Sequence, residues 1–233
     1  MTPSPLTMPH FAEDPTALIV FGGGGQGRTV IDLVRTIGAH RLAGVVDDGL
    51  PAGSEVLGVP VLGGAEALAE WRRKGVCLAV NAVGGIGNVA VRVKVYEILA
   101  RAGFACPTLV HPSTVIEASA VLAGGVQILA QSYIGSAARI GYGTLINAGV
   151  IVSHDCNLGQ CVNLSPGAAL AGGVIVEDFA QIGMNATVNI GVRIGSMAQV
   201  GNGATVKADV PAGTLVRAVT IWPARATSET GSF

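Results

Sequence analysis

Two stretches of the sequence hold residues of reactive type at spacings that could do chemistry. The first is Ser153-His154-Asp155. Histidine occurs at positions 10, 40, 111 and 154, and only His154 has a carboxylate beside it. An imidazole next to an acid is a candidate general base, because the acid can hold its tautomer and raise its basicity. A plain surface histidine is the alternative. Zinc ligation needs several histidines, and none stands at a spacing that would join His154. The second stretch is Gly22-Gly-Gly-Gly-Gly-Gln-Gly27, in which Gly22, Gly24 and Gly27 match G-x-G-x-x-G. Such glycines let backbone N–H groups approach a diphosphate at a helix N-terminus. Gly22, Gly24, Gly25, Gln26 and Gly27 are the candidate contacts. Asp47-Asp48 follows about 20 residues on, where a carboxylate can meet a ribose or a base. Three readings compete for this loop: a nicotinamide dinucleotide, another nucleotide diphosphate, and a structural turn. Too little chain follows for a second mononucleotide half, so the nucleotide diphosphate is favoured.

The elements that must position His154 show themselves by an unusual period. From Ile116 to Val206 an aliphatic residue returns at every sixth position, as in Ile140, Ile146, Val152, Leu158, Leu164, Leu170, Val176 and Ile182. Small residues such as Ala138, Cys156, Ala168 and Ala180 stand two places earlier. Six fits neither a helix nor a lone strand. It is the hexapeptide signature of a parallel β-helix, each hexad being a short strand plus a corner. Large aliphatics point inward, small residues share the corner interior, and the glycines that often follow the aliphatic are expected to permit the turn. His154 lies two residues beyond the inward Val152, so its ring should point outward at a corner. Three hexads per coil stack it on Gly172, one rung or about 4.8 Å away. A bare glycine N–H beside an outward base is a candidate oxyanion donor.

The glycine loop is positioned by alternation. Ala17–Phe21, Leu42–Val46 and Val76–Val80 read as strands, and segments 28–37, 65–73 and 87–102 as helices, with 58–63 a short extended link. Strands alternating with helices predict a small parallel sheet covered on both faces. The expected organisation is a flexible leader at 1–15, a Rossmann-like nucleotide-sugar-binding domain at 16–110, the β-helix domain at 111–225 and a disordered tail at 226–233.

Composition agrees. Half of the 233 residues are apolar, aromatics are 4%, and there are 34 glycines. A narrow β-helix interior has room for Ile, Leu, Val and Ala but for few rings. The formal net charge is −1 and no basic run appears, which argues against nucleic acid and anionic membranes as partners. The leader lacks the features of a signal peptide. The longest uncharged run, 156–176, keeps the period of six and is not a membrane span. The cysteines at 77, 106, 156 and 161 lack zinc-ribbon spacing, and Cys156 reads as a buried small hydrophobe. Nothing asks for an oxidising compartment, so the expected location is the cytoplasm.

Over roughly 17–225 the chain resembles the sugar-nucleotide acetyltransferases of the left-handed β-helix superfamily, in the branch of the bacterial bacillosamine-pathway acetyltransferase and the sialic acid O-acetyltransferases. The resemblance rests on Phe21–Gly27, Val46-Asp-Asp48, Val110-His-Pro112, Ile146-Asn-Ala-Gly149, Ser153-His-Asp155, Ser165-Pro-Gly-Ala168 and Leu170-Ala-Gly-Gly173. It implies a left-handed coil and a homotrimer with acetyl-CoA in the groove between coils. It also implies that the N-terminal domain holds the nucleotide of the acceptor sugar. His154 matches the general base, Asp155 its acidic neighbour, and Gly172 the amide that faces the acetyl carbonyl. Asn163, Gly172 and Gly173 are the residues it places at acetyl-CoA. Gln26 and Asn163 depart from the family, standing where relatives often have histidine. The expected activity is acetyl-CoA-dependent N-acetylation of a nucleotide-linked 4-amino-6-deoxy sugar, with no metal. The alternatives are O-acetylation of a sialic-acid-like sugar, a non-catalytic β-helix scaffold, and a zinc β-helix hydratase of the carbonic anhydrase kind.

Overall fold

The computed structural model describes residues 14–87 and 89–223. The expected leader, up to residue 13, and the expected tail lie outside the described residues. The chain divides into two compact units. One comprises residues up to Gly84 together with Ala90–Pro107, and the other Gly85–Val89 together with the chain from Thr108.

The first unit is a five-stranded sheet flanked by helices. Its elements are β1 (Ala17–Phe21), α1 (Gly25–Ile37), β2 (Arg41–Val46), β3 (Glu55–Val56), β4 (Val59–Gly63), α2 (Ala67–Arg73), β5 (Leu78–Asn81) and α3 (Val89–Arg101). The sheet order is β3-β4-β2-β1-β5, with β4, β2, β1 and β5 parallel. Every residue of β1 is buried, as a central parallel strand covered on both faces requires. The segment 58–63, expected as a link, instead supplies β4. It pairs with β2 and closes a hairpin with β3 through Leu57 and Gly58, both at positive φ. Helix α1 starts three residues earlier than its periodicity indicates, inside the glycine loop. It ends on Gly38, which is in the left-handed region and returns its N–H to the Val34 carbonyl. The chain winds to one side of β1 through β2 and β4, then crosses to β5 on the other. That reversal opens a crevice at the carboxyl ends of β1 and β5, where open α/β sheets bind ligands.

The second unit is a parallel β-helix of two-residue strands in three sheets. The eighteen-residue coil appears directly in the register: Tyr133 pairs with Ile151, Leu145 with Asn163, and Asn157 with Ile175. The inward aliphatics form one continuous core with the small corner residues, from Val126 and Ile128 to Val206 and Val216. Burying one such Ile, Leu or Val is worth about 1.5–3 kcal/mol, so the interior stack is the main source of stability. Past Val206 the period of six ends but the coil does not. Leu215 and Ile221 still pair with Gln199 and Thr205, so the last turn is shortened and the sheets continue.

The corner glycines do a different job from the one expected. Gly135, Gly141, Gly159 and Gly183 are not at positive φ. A Cβ at Gly141 would instead run into the Gly159 backbone of the next coil. Glycine follows the aliphatic because successive corners approach too closely for a side chain. The turn itself is made two places later, where a residue of positive φ recurs at every sixth position. Gly143, Gly149 and Gly167 occupy it, and so do Gln131, Asp155, Cys161 and Asn185. An L-residue in that conformation costs roughly 1–2 kcal/mol, and Asn and Asp visit it most readily.

Candidate active site

In the α/β unit the glycine loop is fixed by its neighbours. The Gly22 N–H donates to the Val46 carbonyl at 2.8 Å, and Gly22 is at φ 113°. Gly27 is buried, and a Cβ there would meet the Gly22 carbonyl, so it must be glycine for α1 to pack on β1. Gly24 and Gly25 are exposed and would meet nothing with a Cβ. They open α1, whose first-turn N–H groups have no intrahelical partner, an arrangement suited to anions. Gln26 lies in that turn, and its Nε2 is buried with no hydrogen-bond partner.

Asp47 and Asp48 part company. Asp47 holds the loops: Oδ2 accepts from the Gly23 N–H at 2.6 Å and Oδ1 from the Gly49 N–H at 2.8 Å. Asp48 uses one oxygen to accept from the Ala65 N–H at 2.8 Å and is otherwise exposed. A cleft of about 290 Å³ opens beside them, lined by Gly22, Asp47, Asp48, Val83 and one face of α3. That face includes Lys94, which the sequence reading did not single out. The signal was present, since 91, 94, 95 and 98 are spaced as one helix face. Asn81 and Arg92 brace the edge of the cleft. The Asn81 Nδ2 donates to the Arg92 carbonyl at 2.9 Å, and the Arg92 Nη1 to the Val83 carbonyl at 2.5 Å.

In the β-helix unit, His154 and Asp155 form the corner after the strand Ile151–Val152. Asp155 takes the left-handed position, at φ 57°, and its N–H donates to the Ser136 carbonyl. The His154 Nδ1 stands 2.8 Å from Asp155 Oδ2. An ionised carboxylate can only accept, so the contact suits an Nδ1–H donor, the tautomer in which Nε2 is the nitrogen with the lone pair. Both side chains are largely exposed. The ring lies against Gly172, where a Cβ would sit 2.5 Å from both Cε1 and Nε2. The Gly172 N–H donates to no described residue. A base atom on an exposed ring and the uncommitted amide of the buried Gly172 therefore meet at one corner. Cys156, just inside, is not a competing nucleophile. Burial pushes its thiol up, and its Sγ lies 3.2 Å from the Ala171 carbonyl.

Gly173 and Asn163, the other two residues expected at acetyl-CoA, lie as follows in the single chain. The Gly173 N–H is spent on the His154 carbonyl, at 2.9 Å. That hydrogen bond is a rung of the coil. Asn163 stands on another sheet, between Leu145 and Gln181, and is buried. Its Nδ2 donates to the Ser165 Oγ at 3.2 Å, and Gly85 packs directly on its Oδ1. Beside it, the Gly87 N–H donates to the Gln181 Oε1 at 3.1 Å. Within one chain Asn163 is not brought to His154. A groove of about 410 Å³ on this sheet, lined among others by Ile86, Gln181, Gln199 and Arg217, contains neither His154 nor Gly172. Among the described residues no group of three or more His, Cys, Asp or Glu could hold a metal ion, and no helix is long and apolar enough to cross a membrane.

Comparison with known proteins adds the following. The PglD N-terminal domain family matches residues 17–99. The GDP-perosamine N-acetyltransferase of Escherichia coli O157:H7 is 33% identical over 179 residues, which cover 74% of this chain and 78% of that protein. The crystal structure of PerB from Caulobacter crescentus, in complex with CoA and GDP-perosamine, superposes with a TM-score of 0.81 at 37% identity, covering 87% of this chain and 94% of that one. The acetyltransferase domain of PglB from Neisseria gonorrhoeae, in complex with acetyl coenzyme A, gives 0.80 at 30% identity, covering 88% and 97%. The fold is accordingly a small α/β domain followed by a left-handed parallel β-helix.

Proposed function

We infer the activity from one premise: the chain belongs to the hexapeptide-repeat family of sugar N-acetyltransferases. It is an acetyltransferase that uses acetyl-CoA to acetylate the amino group of a nucleotide-linked amino sugar. The finer reading is our proposal. The acceptor is a GDP-linked 4-amino-6-deoxy sugar, since one relative is named for GDP-perosamine and the PerB structure is in complex with it. The first-turn amides of α1, with Gly24, Gly25 and Gln26, take its diphosphate.

The observation that carries the catalytic assignment is the His154–Asp155 contact of 2.8 Å with the ring laid on Gly172. The sugar amine attacks the thioester carbonyl carbon. His154 Nε2 takes the proton that the nitrogen loses, and Asp155 stabilises the imidazolium through Nδ1–H. The Gly172 N–H meets the oxyanion. The tetrahedral adduct expels the coenzyme A thiolate, and the imidazolium returns the proton to sulfur. Acetylated sugar and free thiol leave, with the base restored.

The same reading takes the enzyme to be a homotrimer in the cytoplasm, where acetyl-CoA and nucleotide sugars are available. The coil's sides carry exposed, uncharged residues such as Val115 and Ile151, which suit side-by-side packing into a closed ring. Sedimentation showing a fully active monomer would overturn that part. For the reaction, thiol release from acetyl-CoA is followed with paired GDP sugars bearing an amine or a hydroxyl at C4. Rapid release with the amine is expected. Faster release with the hydroxyl sugar would replace N-acetylation by O-acetylation.

A further inference from the structure

Three corners of the β-helix share one backbone geometry and differ in the fate of one amide. Gln160, Met184 and Gly172 are each the second residue after a two-residue strand, Asn157–Leu158, Gln181–Ile182 and Ala169–Leu170. Each precedes a residue at positive φ: Cys161, Asn185 and Gly173. Their carbonyls accept from the next coil in the same way. Phe179, Gly203 and Gly191 donate to Gln160, Met184 and Gly172 at 2.9, 2.8 and 2.9 Å. None of the three N–H groups joins a backbone rung between described residues.

Two of these amides are capped from the coil above. The Gln160 N–H donates to the Asp178 Oδ1 and the Met184 N–H to the Asn202 Oδ1, each at 2.9 Å and eighteen residues on. Where this corner place holds Asp or Asn, at 178 and 202, the amide one coil before it is satisfied. The residue eighteen beyond Gly172 is Ile190, which holds the same place after Thr187–Val188. Its side chain offers no acceptor. It is also 73% exposed, so it adds little to the core. The Gly172 amide is therefore left open by the type of residue above it, since its own backbone is set as at the capped corners. That matters chemically, because an amide already spent on a side chain cannot meet a developing oxyanion.

We propose that Ile190 is a positioning residue for the transfer: by presenting no acceptor above Gly172 it keeps that N–H free for the oxyanion. The proposal rests on the reading of the Gly172 N–H as oxyanion donor, and it adds the residue that keeps the donor available. An acceptor placed at 190 rebuilds the cap seen at Gln160 and Met184 and takes the donor away.

The test compares Ile190→Asn with Ile190→Leu in the full chain. The two side chains have nearly the same size and branching, and only the first brings an acceptor. A crystal structure of Ile190→Asn should place the new amide oxygen about 2.9 Å from the Gly172 nitrogen, as at the two existing caps. Its kcat for thiol release from acetyl-CoA with a GDP-linked amino sugar should fall on the order of 10²–10³-fold, the loss of one oxyanion donor. The KM for the sugar should change little, because the lost contact belongs to the transition state. Ile190→Leu should turn over like the wild type. Both should melt near the wild-type temperature, since the site is exposed. If Ile190→Asn does not fold, Ile190→Asp carries the same comparison, as Asp178 caps in that form. An Ile190→Leu enzyme as slow as Ile190→Asn would overturn the proposal, because Ile190 would then act by shape. So would an Ile190→Asn structure in which the Gly172 N–H stays uncapped. Failure of the underlying reading looks different. A capped Gly172 amide with unchanged kcat would remove that amide from the oxyanion role, and a wild type that releases no thiol with any nucleotide-linked amino sugar would remove acetyl transfer itself.

Discussion

Gly172→Ala isolates the contact on which the site turns. Gly172 is not at positive φ, so alanine fits its backbone. The conflict is with the His154 ring, because the new Cβ would stand 2.5 Å from Cε1 and Nε2. Non-bonded carbons rest at about 3.5–4.0 Å, so the imidazole must move outward by about 1 Å. A displacement of that size at a catalytic group costs on the order of 10²-fold in rate. That corresponds to about 2.7 kcal/mol of barrier. The ring can swing away into solvent, so stability should change little. The assay is steady-state thiol release together with thermal melting. kcat should fall about a hundredfold, and the KM for acetyl-CoA should change far less. Pairing the variant with His154→Ala makes the test sharper. If Gly172→Ala acts by displacing the imidazole, the double variant loses no more than His154→Ala alone. Strict additivity, or wild-type turnover in a folded Gly172→Ala enzyme, would refute the reasoning.

Asp155→Asn should cost less than His154→Ala, which should itself lose roughly 10²–10⁴-fold in kcat. Asparagine can still accept from Nδ1–H but cannot stabilise the imidazolium as a carboxylate does; equal losses in stopped assays would mean that Asp155 does more than orient the ring. Gly85→Ala should destabilise the fold by about 1–3 kcal/mol, because its Cβ drives into the buried Asn163 amide. Adding Asn163→Ala should recover part of that in denaturant melts, and no recovery would place the clash elsewhere. Glu177 is held below the usual carboxylate range by the Arg193 hydrogen bond first and the Ser196 N–H second. Its ionised form therefore stabilises the fold above the ordinary carboxylate pKa, and that contribution is lost as pH falls through the lowered folded value. Glu177→Gln should lower Tm at neutral pH and converge with wild type in acid; a constant difference across pH would contradict it.

The coil was legible because its physics repeats. One inward aliphatic per hexad and one small residue per corner leave a period that no helix or lone strand can make. The eighteen-residue stack then puts Gly172 beneath His154 by arithmetic. Glycine's role at the corners was not legible, because sequence shows that glycine is there and not which of two constraints demands it. Contact across coils demands it at Gly141, whereas φ favours it at Gly143. The strand Val59–Gly63 was missed for a related reason. Its proline and flanking glycines read as punctuation, yet Pro60 lies on the hairpin side, opposite Glu55, while Val61 pairs with Val45 of β2.

The geometry was legible where residues are adjacent in sequence or one coil apart, since the structure brings His154, Asp155 and Gly172 together as their spacing implies. It was not legible where a hydrogen bond is shared between distant segments. Asp47 stands at the fingerprint position for a ribose ligand, and each of its oxygens also accepts one backbone N–H, from Gly23 and from Gly49. Spacing cannot reveal that, because it locates a carboxylate without showing which amides it meets. Asn163 is the same lesson on the coil. The resemblance names it, but spacing within the coil does not show what packs on it. The segment at Gly85–Gly87 lies far away in sequence and covers that face, satisfying Gln181 and packing on Asn163. Lys94 is the converse case. A lone lysine on a helix carries no motif, and it becomes informative only once the fold sets it in the lining of a cleft.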